Sequence, residues 1–289
     1  MWDIKAEEDF FINALNNKFA SPETLFYKIG KDFFAYIPKG KSSNGNTLQS
    51  RNSLIGKYTE VWVKDLINPI AEKLGLYAIN EVICDEISLT SQSPADVALC
   101  TTNHKHQNPK NIKVIFEVKM SIVSNFSYDD ISKKIIYLGG YNCHRGVPSI
   151  LRSDSMLKAI GKAVNIRVSS EKSNNIPIIV LGNTPITNSY LEKVDMLKQF
   201  GICQGFWSLN PSIANDENII SKSKNQGFIT LSNIQQLELL INKILKNNLV
   251  YFSGMYSKTK LGEIIAKANL FHTYEDKAEE FLKLLRGNN

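Results

Sequence analysis

The chain of 289 residues is long enough for one large domain, or for a core with a helical appendage, and its 43% hydrophobic and 21% charged content is that of an ordinary globular protein. No stretch approaches a membrane span, the acidic start Met1–Asp9 is no signal peptide, and four cysteines without Cys-x-x-Cys spacing suit a reducing, cytoplasmic setting. The net charge of +6 is segregated: residues 38–64 and 131–167 together carry +10 and the remainder −4. Two such segments suit a polyphosphate partner, although a solvated basic face explains either one alone.

In chain order, the spacing of Phe10, Phe11, Leu15 and Phe19 predicts a helix over 6–19. Ser21-Pro22-Glu23 reads as an N-cap followed by proline at the first position of another helix or turn. Pro38 to Ser53, rich in Gly, Asn and Ser, predicts a mobile loop. It serves equally as a connector or, through Lys39, Lys41 and Arg51, as a segment that orders against a phosphate backbone. A helix follows from Ser53 past Pro69 to Leu74, with Leu54, Tyr58, Val61, Trp62 and Ile70 as its buried stripe. Glu60 falls beside that stripe, with Lys57 and Lys64 at helical spacing as ordinary surface partners. Gly75-Leu76 stops the helix, and Tyr77 to Leu89 reads as a strand.

The next stretch carries the chemistry. Lys113-Val-Ile-Phe-Glu-Val-Lys119 alternates strictly, so Val114, Phe116 and Val118 share one strand face while Ile115, Glu117 and Lys119 share the other. In Pro94-Ala-Asp-Val-Ala-Leu99, Asp96 and Ala98 share a face. A hairpin of the two runs brings Asp96 beside Glu117 and Lys119. Two carboxylates and an ammonium on a rigid surface suit Mg²⁺, which takes one or two carboxylates plus water and substrate phosphate. A lysine two residues from a ligating glutamate can hold a water and stabilise developing negative charge. Glu-x-Lys alone is also an ordinary surface pair.

Ser121 to Ile150 reads as a long connection containing a short β-like run, 133–138, and a turn, 139–146. Tyr141, Asn142, His144 and Arg145 in that turn are good readers of base edges, and equally the residues of any exposed turn. Ser153-Asp154 caps a helix over 156–168, with Leu157, Ile160, Gly161, Val164 and Val168 on its apolar side. Lys158 and Lys162 align one turn apart on the other side, near Arg152. Ile176–Leu181 is a wholly apolar strand, as at the centre of a sheet covered on both faces. A helix over 189–200, a strand over 201–209 and tail helices over 232–245, 258–271 and 274–285 complete the chain. His104, His106, Cys143 and His144 match no common zinc spacing, and no phosphate-binding glycine loop is present.

Pro94-Ala95-Asp96 followed after 21 residues by Glu117-Val118-Lys119 resembles the PD-(D/E)XK nuclease superfamily, with one residue inserted between proline and aspartate. The helix–strand–strand–strand order around it extends the resemblance over roughly residues 53–210. The resemblance implies an α/β fold with a restriction-endonuclease-like core, a central mixed sheet flanked by helices in the order αβββαβαβ. Residues 1–52 and 211–289 would then be N-terminal and C-terminal helical additions. It further implies a Mg²⁺-dependent type II restriction endonuclease, with Mn²⁺ able to substitute, held by Asp96, Glu117, the Val118 carbonyl and an auxiliary Glu60. Lys119 would orient the attacking water. Double-stranded DNA would be contacted by Lys39, Lys41, Arg51, Lys57, Tyr141, Asn142, His144, Arg145, Arg152, Lys158 and Lys162. A two-fold homodimer and a cognate methyltransferase as genetic partner complete that expectation. A structure-selective or repair nuclease of the same superfamily, and a non-catalytic DNA-binding module, are the alternatives.

Overall fold

The computed structural model describes residues 1–17, 19–42, 48–212, 220–246 and 258–286. In chain order the elements are α1 (Ile4–Asn16), α2 (Pro22–Leu25), β1 (Tyr27–Ile29), β2 (Asp32–Phe34), α3 (Gln49–Lys73), β3 (Tyr77–Val82), β4 (Ala95–Cys100), β5 (Ile112–Val118), β6 (Asn125–Asp129) and β7 (Lys134–Gly139). They continue as α4 (Ser153–Ser169), β8 (Ile178–Gly182), α5 (Leu191–Gln199), β9 (Gly205–Ser208), β10 (Phe228–Thr230), α6 (Ile234–Leu245), α7 (Lys258–Ala268) and α8 (Tyr274–Arg286).

The central sheet is mixed, in the order β10-β9-β8-β5-β4-β3. β3, β4 and β5 form an antiparallel meander, whereas β8, β9 and β10 continue from β5 in parallel. β8, the expected apolar strand, is buried along its whole length, as parallel strands covered on both faces are. One core lies between the sheet face of Val97, Val114 and Phe116 and the residues Phe11, Ile55, Val63 and Leu237 of α1, α3 and α6. The other joins Ala98, Ile115 and Val180 to Ala159, Ala163 and Ile166 of α4 and Val194 of α5. The protein is thus an α/β structure with helices on both faces of a mixed sheet. Among the described residues no helix is long and apolar enough to cross a membrane.

Several expectations are corrected. The 121–150 connection holds a β6–β7 hairpin that joins β1 and β2 in a second, four-stranded sheet of order β1-β2-β6-β7. Phe126 and Tyr128 alternate into the core there. The tail is not wholly helical, because β10 extends the central sheet beyond β9. α3 begins at Gln49, four residues early, and within the expected loop 43–47 lies outside the described residues. Its buried row is Arg51, Ile55, Thr59, Val63 and Ile67; of the expected stripe, Ile70 is buried, Leu54, Tyr58 and Trp62 are partly buried against the core, and Val61 is exposed. α4 likewise buries Met156, Ala159, Ala163 and Ile166 and exposes Leu157 and Val168. Ala159 and Ala163 at the centre of that face let the helix approach the sheet closely, with Met156 and Ile166 filling the space at either end. Phe19 is exposed, beyond the end of α1.

Candidate active site

The register that sets Val97 opposite Phe116 and Ala98 opposite Ile115 brings Asp96 opposite Glu117, on the sheet face that receives α4. The alternation of both strands therefore does what their sequences require. Asp96 Oδ2 accepts a hydrogen bond from the Val118 backbone N–H at 2.7 Å. Lys119 Nζ lies 2.5 Å from Glu117 Oε1 and 3.6 Å from Asp96 Oδ2, and it donates to the Val118 carbonyl at 3.2 Å. The predicted trio is gathered at the ends of β4 and β5.

A fourth group stands with them. Lys162 Nζ, reaching in from α4, lies 2.9 Å from Asp96 Oδ1 and 2.6 Å from Glu117 Oε2. The contact with Oε2 is a charge contact without hydrogen-bond alignment. The expectation that Lys162 contacts DNA beside Lys158 is thus corrected. Lys162 lies within the Ala159–Ala163–Ile166 stripe that faces the sheet and is drawn under the helix, its side chain 18% exposed. Lys158, one turn earlier, stays in solvent and pairs with Asp154 at 3.2 Å. That row of small residues was the sequence signal for Lys162.

Burial shapes the electrostatics. Glu117 is 3% exposed. Its carboxyl is raised above the usual range by burial first and by Asp96 second, against the pull of Lys119 and Lys162. For Lys162, burial pushes down, but Asp96 and Glu117 together outweigh it and the ammonium is held above its ordinary value. Glu60, on α3, is raised to about 7 by burial and then by Asp96, with Lys119 and Lys162 opposing. Its carboxylate faces this cluster and makes no hydrogen bond or ion pair with Lys57 or Lys64, the latter being paired with Asp65. The Asn80 side-chain amide donates to the carbonyls of both Glu60 and Asp96, at 3.0 and 3.2 Å, and so ties α3 to β4.

Groups outside the motif hold the exit from β5. Ser149 Oγ donates to the Lys119 carbonyl at 2.6 Å. Asn183, at the end of β8, accepts from the Ser121 N–H at 3.2 Å and donates to the Ser121 carbonyl at 2.6 Å. Glu7 accepts from the N–H groups of Val123 and Ser124 at 2.7 and 2.9 Å. None of these stands out in the sequence, because each acts across a long stretch of chain.

Among the described residues no three His, Cys, Asp or Glu side chains come together as a metal-holding group. Glu60 thus stands apart from the Asp96–Glu117 pair as an outlying carboxylate. The donor chemistry of the pair still fits one hard cation. Two carboxylates and the Val118 carbonyl present oxygens at one place and already gather two ammonium groups. Two carboxylates with the remaining positions left to water and phosphate is the usual Mg²⁺ pattern.

The residues expected at DNA divide. Lys39, Lys41, Lys57, Asn142, Arg145, Arg152 and Lys158 are exposed and Tyr141 is half-buried. Lys39 N–H donates to the Cys143 carbonyl at 3.3 Å and Arg145 N–H to the Ile37 carbonyl at 3.2 Å. The two basic segments, distant in sequence, therefore meet as one rim. Two expected contacts are corrected. Arg51 is 3% exposed and donates to the carbonyls of Leu25 and Ala35. His144 is buried, stacked on Tyr36 and bonded to the Val123 carbonyl at 2.9 Å. Both hold the rim's backbone in place, and neither can reach a base or a phosphate. Compared with known proteins, the chain matches no family model, no curated protein and no solved structure.

Proposed function

We propose that the chain is a Mg²⁺-dependent endonuclease of double-stranded DNA, of the type II restriction kind within the PD-(D/E)XK superfamily. The observation that carries this reading is the meeting of Asp96, Glu117 and Lys119, from neighbouring strands, on one face of a mixed sheet. The order α3-β3-β4-β5-α4-β8-α5-β9, with the β6–β7 hairpin inserted, supports a restriction-endonuclease-like core.

Asp96, Glu117 and the Val118 carbonyl are the groups that would hold the ion. Bound there, Mg²⁺ supplies Lewis-acid neutralisation of phosphodiester charge. Lys119 presents its ammonium beside both carboxylates, where it orients the attacking water and meets the developing negative charge. Glu60, its carboxyl raised to about 7, would serve as an outlying auxiliary carboxylate beside the ion. In-line attack leaves 5′-phosphate and 3′-hydroxyl ends. The rim of Lys39, Lys41 and Arg145 supplies sequence-independent attraction to the backbone.

The test is digestion of supercoiled plasmid by the purified protein with Mg²⁺ or Mn²⁺, followed by sequencing of the ends. Discrete cleavage sites are expected, abolished by Asp96→Ala and by Lys119→Ala. Cleavage concentrated at junctions or ends would favour the repair alternative. Binding without cutting at any metal concentration, indifferent to Asp96→Ala, would leave a DNA-binding module and overturn the enzyme.

A further inference from the structure

Two ammonium groups serve the two carboxylates, and they are not equivalent. Lys119 sits on the same strand as Glu117 and is tethered by the Val118 carbonyl. Lys162 comes from a different element on a long side chain and bridges Asp96 Oδ1 and Glu117 Oε2 at 2.9 and 2.6 Å. It therefore occupies the position between the carboxylates that a divalent ion needs. The four charges balance, and in this largely buried place a dication added to them leaves two uncompensated positive charges. One ammonium must withdraw. Both lysines hydrogen-bond one carboxylate and meet the other by charge. Lys119 is also tied to the Val118 backbone, whereas Lys162 reaches in from α4 with no backbone tether at the site among the described residues, and its flexible stem lets the head group move.

We propose that Lys162 is a built-in counter-cation. It neutralises Asp96 and Glu117 while no divalent ion is bound and yields its place when one enters. This deepens the nuclease reading and rests on its metal site. Two consequences follow. Lys162 stabilises the fold without metal, because it spares two buried carboxylates from facing each other unpaired. It also weakens metal affinity, because every ion must displace it.

Mn²⁺ affinity, read from the electron paramagnetic resonance of the free ion, and thermal unfolding with and without Mn²⁺ test both. The comparison is among the natural protein, Lys162→Met, Asp96→Asn and Lys158→Met. The last removes the same charge one turn away without touching a carboxylate. Lys162→Met is expected to bind Mn²⁺ about ten- to a hundredfold more tightly, the worth of a charge-assisted contact. It should melt lower than the natural protein without Mn²⁺ and recover when Mn²⁺ is added. Lys158→Met should move affinity far less. Lys162→Gln, which keeps a donor without charge, carries the same expectation if the methionine variant does not fold. Unchanged or weaker affinity in the Lys162 variants, with Asp96→Asn still abolishing binding, would overturn the counter-cation and leave the metal site standing. If neither the natural protein nor the Lys162 variants bind Mn²⁺, both readings fall together.

Discussion

The carboxylate of Asp96 and the backbone of Val118 are joined across two strands by a 2.7 Å hydrogen bond, so one oxygen of Asp96 is fixed by the sheet itself. The other oxygen is left to face Lys162. Orientation of this carboxylate thus depends on strand register and on no loop, as a metal site of the proposed kind would require.

Asp96→Asn and Asp96→Ala should therefore separate. Asparagine keeps an acceptor for the Val118 N–H and loses the charge, whereas alanine leaves that N–H without its partner. Both should lower Mg²⁺-dependent cleavage by about a hundredfold or more, the scale of losing a main electrostatic group. Alanine should cost about 1 kcal/mol more stability than asparagine. Initial cleavage rates and urea unfolding check the two halves.

Glu60 reports the cluster independently of catalysis. Its carboxyl titrates at about 7, raised by burial and Asp96 and held down by Lys119 and Lys162. Carbon-detected NMR should find it near that value. Asp96→Asn should lower it, and Lys162→Met should raise it. Because the folded value lies above the ordinary 4.5, Glu60 makes the fold less stable as pH climbs from about 4.5 to 7. Glu60→Gln should remove that slope.

Where the sequence is legible, the reason is a short period. The alternation of 113–119 sets Glu117 and Lys119 on one strand face, and a hairpin with 95–99 brings Asp96 beside them, as the observed register does. The apolar block at 176–181 marked the central strand in the same way. Helix faces were harder to read. In α3 the predicted stripe is rotated slightly, with Ile70 buried and Leu54, Tyr58 and Trp62 at the edge of the core but Val61 outside it. In α4 the close-packed centre is held by Ala159 and Ala163, which carry little apolar signal, while Leu157 and Val168 stay exposed. Lys162 aligns with Lys158 and so reads as a surface charge, whereas its position between Ala159 and Ala163 draws it under the helix onto Asp96 and Glu117. Asn80, Ser149 and Asn183 left no trace, since a polar side chain that satisfies a distant backbone looks like any loop residue.

Arg51 tests whether basic residues near the rim are contacts or supports. Its guanidinium lies between the rings of Tyr27 and Tyr36, at 5.3 and 5.1 Å, and donates to two backbone carbonyls. Arg51→Met should cost about 2–3 kcal/mol by leaving buried acceptors unpaired. It should leave unchanged the slope of DNA affinity against salt. Lys39→Ala should do the reverse, with near-natural stability and a slope shallower by about one ion. Fluorescence anisotropy across a salt series, alongside chemical unfolding, distinguishes them.

His144 makes the same rim sensitive to acid. Its Nδ1 accepts from the Gly146 N–H at 3.0 Å, so Nε2 carries the proton and donates to the Val123 carbonyl at 2.9 Å. A second proton would set an N–H against the N–H of Gly146 inside a packed stack with Tyr36. Burial, the largest cause, holds the imidazole below its ordinary 6.5. The unfolded chain therefore takes up a proton near pH 6.5 that the folded chain refuses. Stability is present above that pH and is lost as pH falls toward the folded value, by up to about 1.4 kcal/mol per unit. Glutamine at this position can donate and accept in the same two directions without titrating. Melting temperatures from pH 8 to 5 should fall more steeply for the natural protein than for His144→Gln, with the difference opening below about 6.5. Parallel curves would mean that the imidazole takes up its proton without disturbing the contact between residues 37–39 and 143–145, and that the basic rim keeps its shape in acid.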